Sequence, residues 1–257
     1  MRFVSFFAPV LVGLACCNFL SAQNISIAQP KFTLHCAPED SSALLAQLVA
    51  GTQAVEQFFG HPFPRKFDVY VFLNRAALDK QWQQDWGDST FQSQCWMVAS
   101  GVAHRLDVLS PHAWAAEACE HKAADTTALR KLLHHELVHV FHGQHNSRPD
   151  FAGMDEMGWW VEGIAVYASG QLDDKRLEGV RELLGKKAAP PVLQKFWSGK
   201  HKYGLAGSVA AWLDKSKGRA VLFQLLSCTD TNQALKMLQT EEPALLEAWQ
   251  LFWVEHH

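Results

Sequence analysis

The chain has 257 residues, of which 48% are hydrophobic, and a formal charge of −3. This small negative charge argues against a nucleic-acid surface, and no apolar run beyond the N-terminal segment is long enough to span a bilayer. Without repeats or low-complexity segments, the 235 residues that follow position 22 are enough to bury one sizeable core.

The chain opens with Met1-Arg2 and the apolar stretch F-V-S-F-F-A-P-V-L-V-G-L-A-C-C-N-F-L, followed by S-A-Q. One positive charge, an apolar core and the small Ala22 read as a secretory signal peptide over 1–22. Cleavage after Ala22 leaves 23–257 as the mature chain, secreted or periplasmic. Two alternatives stay open: a lipoprotein signal acylated at Cys16 or Cys17, and an uncleaved anchor. Further along, E-D-S-S caps a predicted helix from Ser41 to Phe59. A strand follows from Phe67 to Leu73, a short helix from Ala76 to Trp86, and one or two strands between Cys95 and Leu109. Cys36, Cys95, Cys119 and Cys228 allow three pairings in an oxidising compartment. Cys95 with Cys119, flanking one strand-and-loop unit, is the favoured pair, and buried free thiols are the alternative. From Asp125 onward the signals are almost all helical. The predicted plan is α+β, with a small N-terminal mixed sheet and its helices, then a mainly helical C-terminal half.

The segment A-D-T-T-A-L-R-K-L-L-H-H-E-L-V-H-V-F-H-G reads as one helix, capped by Asp125 or Thr126 and ended by Gly143. Leu129, Leu132, Leu133, Leu137, Val140 and Phe141 recur at helical spacing and form its buried stripe. H-E-L-V-H at His135 to His139 lies on the flank of that stripe. Four residues are about 400° of helical rotation, so His135 and His139 share a face and can grip one metal ion. Glu136 sits about 100° round from His135, placed to take a proton from a water activated at the metal rather than to bind the metal. This is the spacing of zinc hydrolysis, with one Zn2+ as the expected cofactor.

A catalytic zinc site needs a third protein ligand, and two candidates compete. Glu162 lies within the apolar helical run G-W-W-V-E-G-I-A-V-Y. His145 lies six residues after His139, where the metzincin pattern H-E-x-x-H-x-x-G-x-x-H places its third histidine. That pattern needs glycine at 142 to turn the chain, whereas this sequence has His142 there and Gly143 one step late. Asp155 and Glu156 precede the second helix as loop or cap. Tyr167, five residues beyond Glu162, points to another face and reads as core. Trp249 and Trp253, at i and i+4, read as one buried face.

The pair H-H-E-L-V-H-V-F-H and W-W-V-E-G-I-A-V-Y resembles the gluzincin metallopeptidases, in particular peptidase MA-like domains related to aminopeptidase N, thermolysin and bacterial collagenases. The likeness covers roughly the last 130 residues well and the first hundred in outline. It implies a zincin-like fold, with Glu162 as third ligand and Gly163 as the small residue that lets the Glu162 helix approach the H-E-x-x-H helix. It extends to K-Y-G-L-A-G-S-V-A-A-W-L-D-K-S-K-G and the terminal A-L-L-E-A-W-Q-L-F-W. By that match Tyr203, in a glycine-containing loop before a helix, is the candidate electrophile for the developing oxyanion. In related proteins the strand upstream of H-E-x-x-H pairs with an extended peptide, a role that falls here on V-A-S-G-V-A-H-R-L-D-V-L. The G-x-M-E-N motif of aminopeptidase N relatives is absent, which argues against an aminopeptidase.

Two function classes follow. The first is a secreted zinc metallopeptidase acting on peptide or protein substrates, with His135, His139 and Glu162 as ligands, Glu136 as base and Tyr203 as electrophile. The second is a non-catalytic peptide-binding or structural domain that keeps the fold. An intact Glu136 favours the first, because binding alone has no use for a base.

Overall fold

A computed structural model describes residues 24–255. The signal-peptide reading of 1–22, with its cut after Ala22 and the alternative acylation at Cys16 or Cys17, lies outside the described residues. Within them, β1 (Ile25–Ala28), β2 (Phe32–Cys36), β3 (Phe67–Phe72), β4 (Ala99–Val102) and β5 (Arg105–Leu109) form one sheet in the order β1-β2-β3-β5-β4. β2, β3 and β5 run parallel, and β1 and β4 are antiparallel edge strands, so the sheet is mixed as predicted. Parallel neighbours need long crossovers. These contain α1 (Pro38–Phe59) between β2 and β3, and α2 (Arg75–Trp86) between β3 and β5.

Alternation along the strands places Leu34, Val69 and Leu106 in register on one buried face. Behind the other face, α2 sends Trp82 Nε1 to a buried Asp107 carboxylate at 3.2 Å, and Arg105 Nε donates to the same side chain at 2.6 Å. Burial pushes the Asp107 carboxyl up to about 6 against the pull of Arg105.

The remaining chain is helical: α3 (Trp114–Glu117), α4 (Thr126–Gln144), α5 (Gly158–Ala168), α6 (Asp174–Gly185), α7 (Lys202–Lys217), α8 (Arg219–Leu225), α9 (Thr231–Leu238) and α10 (Glu242–Glu255). A 3-10 turn over Asp155–Met157 leads into α5, so Asp155 and Glu156 precede that helix as expected. Trp249 and Trp253 are buried together, donating to the hydroxyl and carbonyl of Ser208 at 3.1 and 3.3 Å. Cys95 and Cys119 form a disulfide, while Cys36 and Cys228 are buried free thiols. No helix among the described residues is long and apolar enough to cross a membrane.

Several predicted details are corrected. β1 and β2 were not anticipated; they are only four and five residues long and flank a turn at Gln29-Pro30. α1 starts at Pro38, earlier than Ser41, because proline fits the first turn of a helix, where its missing N–H is no loss. Gly143 does not end α4, which runs on to Gln144. A Cβ at Gly143 would lie 2.6 Å from the Pro149 carbonyl and 2.8 Å from the Ala103 nitrogen, so glycine is there for close packing. Gly163 does not face α4. A Cβ on it would lie 2.5 Å from the Ala206 carbonyl, so it sets α5 against α7.

This crossing gives a stability test. Gly163→Ala is expected to destabilise the fold by about 1–3 kcal/mol, because the opposing atoms are backbone and cannot rotate away. Gly185 has nothing within 4 Å of its Cβ position, and Gly185→Ala is expected to be neutral or stabilising by up to about 1 kcal/mol. Denaturant unfolding of both variants checks this; equal effects would refute the crossing.

Candidate metal centre

α4 begins where Asp125 accepts a hydrogen bond from the Ala128 N–H at 2.9 Å, the cap expected from the sequence. Its apolar stripe, Leu129, Leu133, Leu137, Val140 and Phe141, is buried, and that burial fixes the rotation of the helix. His135, Glu136 and His139 then fall on a face only 6–7% exposed that still borders a cleft of about 530 Å³.

Across the cleft, α5 presents Glu162. His135 Nε2 and His139 Nε2 are 3.0 Å apart, and Glu162 Oε2 lies 3.3 Å from the first and 3.6 Å from the second. Ligands bound tetrahedrally at about 2.0–2.1 Å sit roughly 3.3–3.4 Å from one another, close to this triangle. Neither Nδ1 atom has a protein partner among the described residues, so the Nε2 side is where the two rings are engaged. The three side chains make a group that could hold one metal ion.

Glu136 lines the same cleft but stands outside that triangle. Burial raises its carboxyl above the usual range and Glu162 adds to the shift, opposed by His135, His139 and the Gly101 N–H that donates to it. For Glu162, burial works in the same upward direction, yet the two imidazoles outweigh it and hold that carboxylate well below its ordinary value. His139 shows the reverse balance: burial lowers it, and the charge and hydrogen bond of Glu162, with Glu136, carry it upward.

His145 is excluded from the centre. Its Nδ1 engages the Phe141 carbonyl at 2.9 Å, and its ring packs against Phe141 and Phe223. With His142 in place of glycine, the helix continues where a metzincin turn would break it. His142 is fully buried, and burial beside His139 pushes it down to about 3, so it is neutral at ordinary pH. Tyr167 is not in the cleft; its hydroxyl donates to Asp214 at 2.7 Å.

Tyr203 does line the cleft, but from the first turn of α7 rather than from a loop. Burial, with Glu162 and Glu136 nearby, pushes its phenol up to about 12, which keeps the O–H available as a donor. The other wall is edge strand β4. A Cβ at Gly101 would collide with the Glu136 carbonyl, so glycine lets this strand lie directly on α4 at the ligand turn. Sequence reasoning did not single out Gly101, although a glycine within a strand is a signal of close backbone approach. It also missed Phe151, whose φ of 60° is left-handed for a bulky residue and whose ring packs against His139 and His142.

No family model matches the chain, and no curated protein matches it. Among solved structures, it is similar to an M1 zinc metallopeptidase from Deinococcus radiodurans, at 14% identity and a TM-score of 0.46, over 91% of this chain and 52% of that one. A point mutant of that protein gives the same figures. A two-domain M1 zinc metallopeptidase mutant bound to L-arginine matches at 15% identity and a TM-score of 0.44, over 91% and 51%. The chain thus spans about half the length of these structures.

Protein loaded with stoichiometric Zn2+ and desalted is expected to retain the ion in wild type and in His145→Ala, and to lose most of it in Glu162→Gln. Elemental analysis decides; retention in Glu162→Gln with loss in His145→Ala would assign the third ligand to His145.

Proposed function

We propose that this chain is a zinc-dependent metallopeptidase working outside the cytoplasm. The observation that carries the reading is the convergence of His135, His139 and Glu162 on one point, with Glu136 beside them in an open cleft. Zinc suits a donor set of two imidazoles and one carboxylate, and when bound it supplies Lewis acidity to a water and to the scissile carbonyl. The signal-like N-terminus and the Cys95–Cys119 disulfide support an oxidising compartment.

The protein's own groups divide the remaining work. A Glu136 carboxylate in a largely water-excluded position takes a proton from the attacking water at one of its Oε atoms and returns it to the departing amine. Tyr203 donates its phenolic hydrogen to the carbonyl oxygen as that atom gains charge. β4 is an edge strand whose residues line the cleft, so an extended peptide can add to it through main-chain hydrogen bonds and lie across the metal ligands. That mode of binding favours a peptide over a compact small molecule.

Glu136→Gln is expected to keep zinc and fold while cutting peptide hydrolysis by at least about 100-fold, since the amide keeps the shape and loses the proton acceptor. A peptide-library cleavage assay beside metal analysis tests this, and wild-type turnover in the variant would refute the mechanism. Tyr203→Phe is expected to lower kcat by about 100- to 1,000-fold with zinc content unchanged. An unaltered kcat would make Tyr203 a packing residue, and lost zinc would make it a support of the metal site.

A further inference from the structure

Beside Tyr203, the cleft holds a cation that the hydrolytic reading does not use. Lys202 extends from the first turn of α7, and its Nζ lies 4.6 Å from the Trp197 ring centroid, 5.2 Å from that of Tyr203 and 5.3 Å from that of Trp96. The three rings come from different parts of the chain: the segment before α7, α7 itself, and the loop closed by the Cys95–Cys119 disulfide. Together they hold the ammonium at the cleft and remove part of its hydration.

Among the described residues Lys202 takes part in no ion pair. Of the acids that share the cleft, Glu162 belongs to the candidate metal group with Glu136 beside it, Asp150 accepts from the Ala152 N–H at 3.1 Å, and Glu120, the residue after Cys119, is solvent-exposed. The second cation of the cleft, Arg176, already donates to Asp173 at 3.1 Å and to the Gln171 carbonyl at 2.6 Å. Aromatic faces attract a cation without accepting its three hydrogen bonds, so the donors of Lys202 remain available to a ligand.

We propose that Lys202 is a specificity-determining residue that binds a carboxylate of the substrate next to the bond to be cut. The preferred substrates are then peptides with an acidic side chain or a free C-terminal carboxylate at that point. This rests on the peptidase reading above, and Lys202 shares the cleft with His135, His139 and Glu162.

The test uses alanine-rich hexapeptides blocked at both ends, with a single Glu scanned through each position, their Gln counterparts, and the Gln peptides with a free C-terminal carboxylate. Hydrolysis by the zinc-loaded full chain gives kcat/KM, and quenching of tryptophan fluorescence, to which Trp96 and Trp197 contribute beside Lys202, gives binding. A charge-assisted contact predicts a preference of about ten- to a hundred-fold for Glu over Gln at one position, or for the free over the blocked terminus. The first result identifies a side-chain carboxylate and the second a terminal one. Lys202→Met, which keeps the stem against the rings, is expected to abolish the preference while holding the Gln rate within about threefold. Lys202→Glu is expected to invert it toward Lys-containing peptides. An unchanged Glu/Gln ratio in Lys202→Met, or a parallel loss on both peptides, overturns the proposal while leaving hydrolysis established. Discriminating binding without hydrolysis upholds the carboxylate site and refutes the peptidase reading. Neither binding nor hydrolysis overturns both.

Discussion

Contact between backbones at glycine is the constraint on which the site depends. Gly101 lets β4 rest on α4 at the turn that carries Glu136 and His139, and Gly163 lets α5 rest on α7. The second contact has the larger consequence. α5 carries Glu162 and α7 carries Lys202 and Tyr203, so a tight crossing makes these side chains one rigid wall opposite the two histidines. A side chain at Gly163 would push α5, which carries Glu162, off α7, and one at Gly101 would push β4 off α4.

Within that frame, burial raises two neighbouring carboxyls alike, and the two imidazoles reverse the shift at only one of them. Glu162 faces both Nε2 atoms and is held ionised by them, whereas Glu136, outside the triangle, is held above its ordinary value. Removing polar groups from water is costly unless they find partners. Here the partners are one another, in a geometry that suits a metal ion. His142 shows the other outcome: fully buried further along α4, it stays neutral and lies outside the group that could hold a metal.

The segment that leads into β4 is tied down by Arg75. Its guanidinium donates to the carbonyls of Gln94, Cys95, Met97 and Glu117 and to the Ser93 hydroxyl, at 2.6–3.1 Å. The disulfide joins the same two segments covalently. Between them they fix the loop that presents Trp96 to Lys202 and leads into the edge strand.

Much of this was legible in the sequence, because it depends on local periodicity. The 3.6-residue repeat put His135 and His139 on one face of a capped helix, and the apolar run around Glu162 marked a second helix. Alternation marked β3 and β5, and two cysteines flanking one unit marked the disulfide. The sequence also determined which chemistry the ligand types suit. What it could not decide was distance between elements. Gly163 reads the same whether it faces α4 or α7. His145 and Glu162 were both open as third ligands until the course of α4 past Gly143 placed His145 against Phe223 and the packing of α5 brought Glu162 to the two Nε2 atoms. Lys202 is an unremarkable surface lysine in one dimension and becomes a caged cation only because Trp96, from a distant part of the chain, joins Trp197 and Tyr203 around it. Helix and strand faces follow from steric rules between near neighbours, whereas a site is made by contacts between distant segments. Only the packed structure sets those.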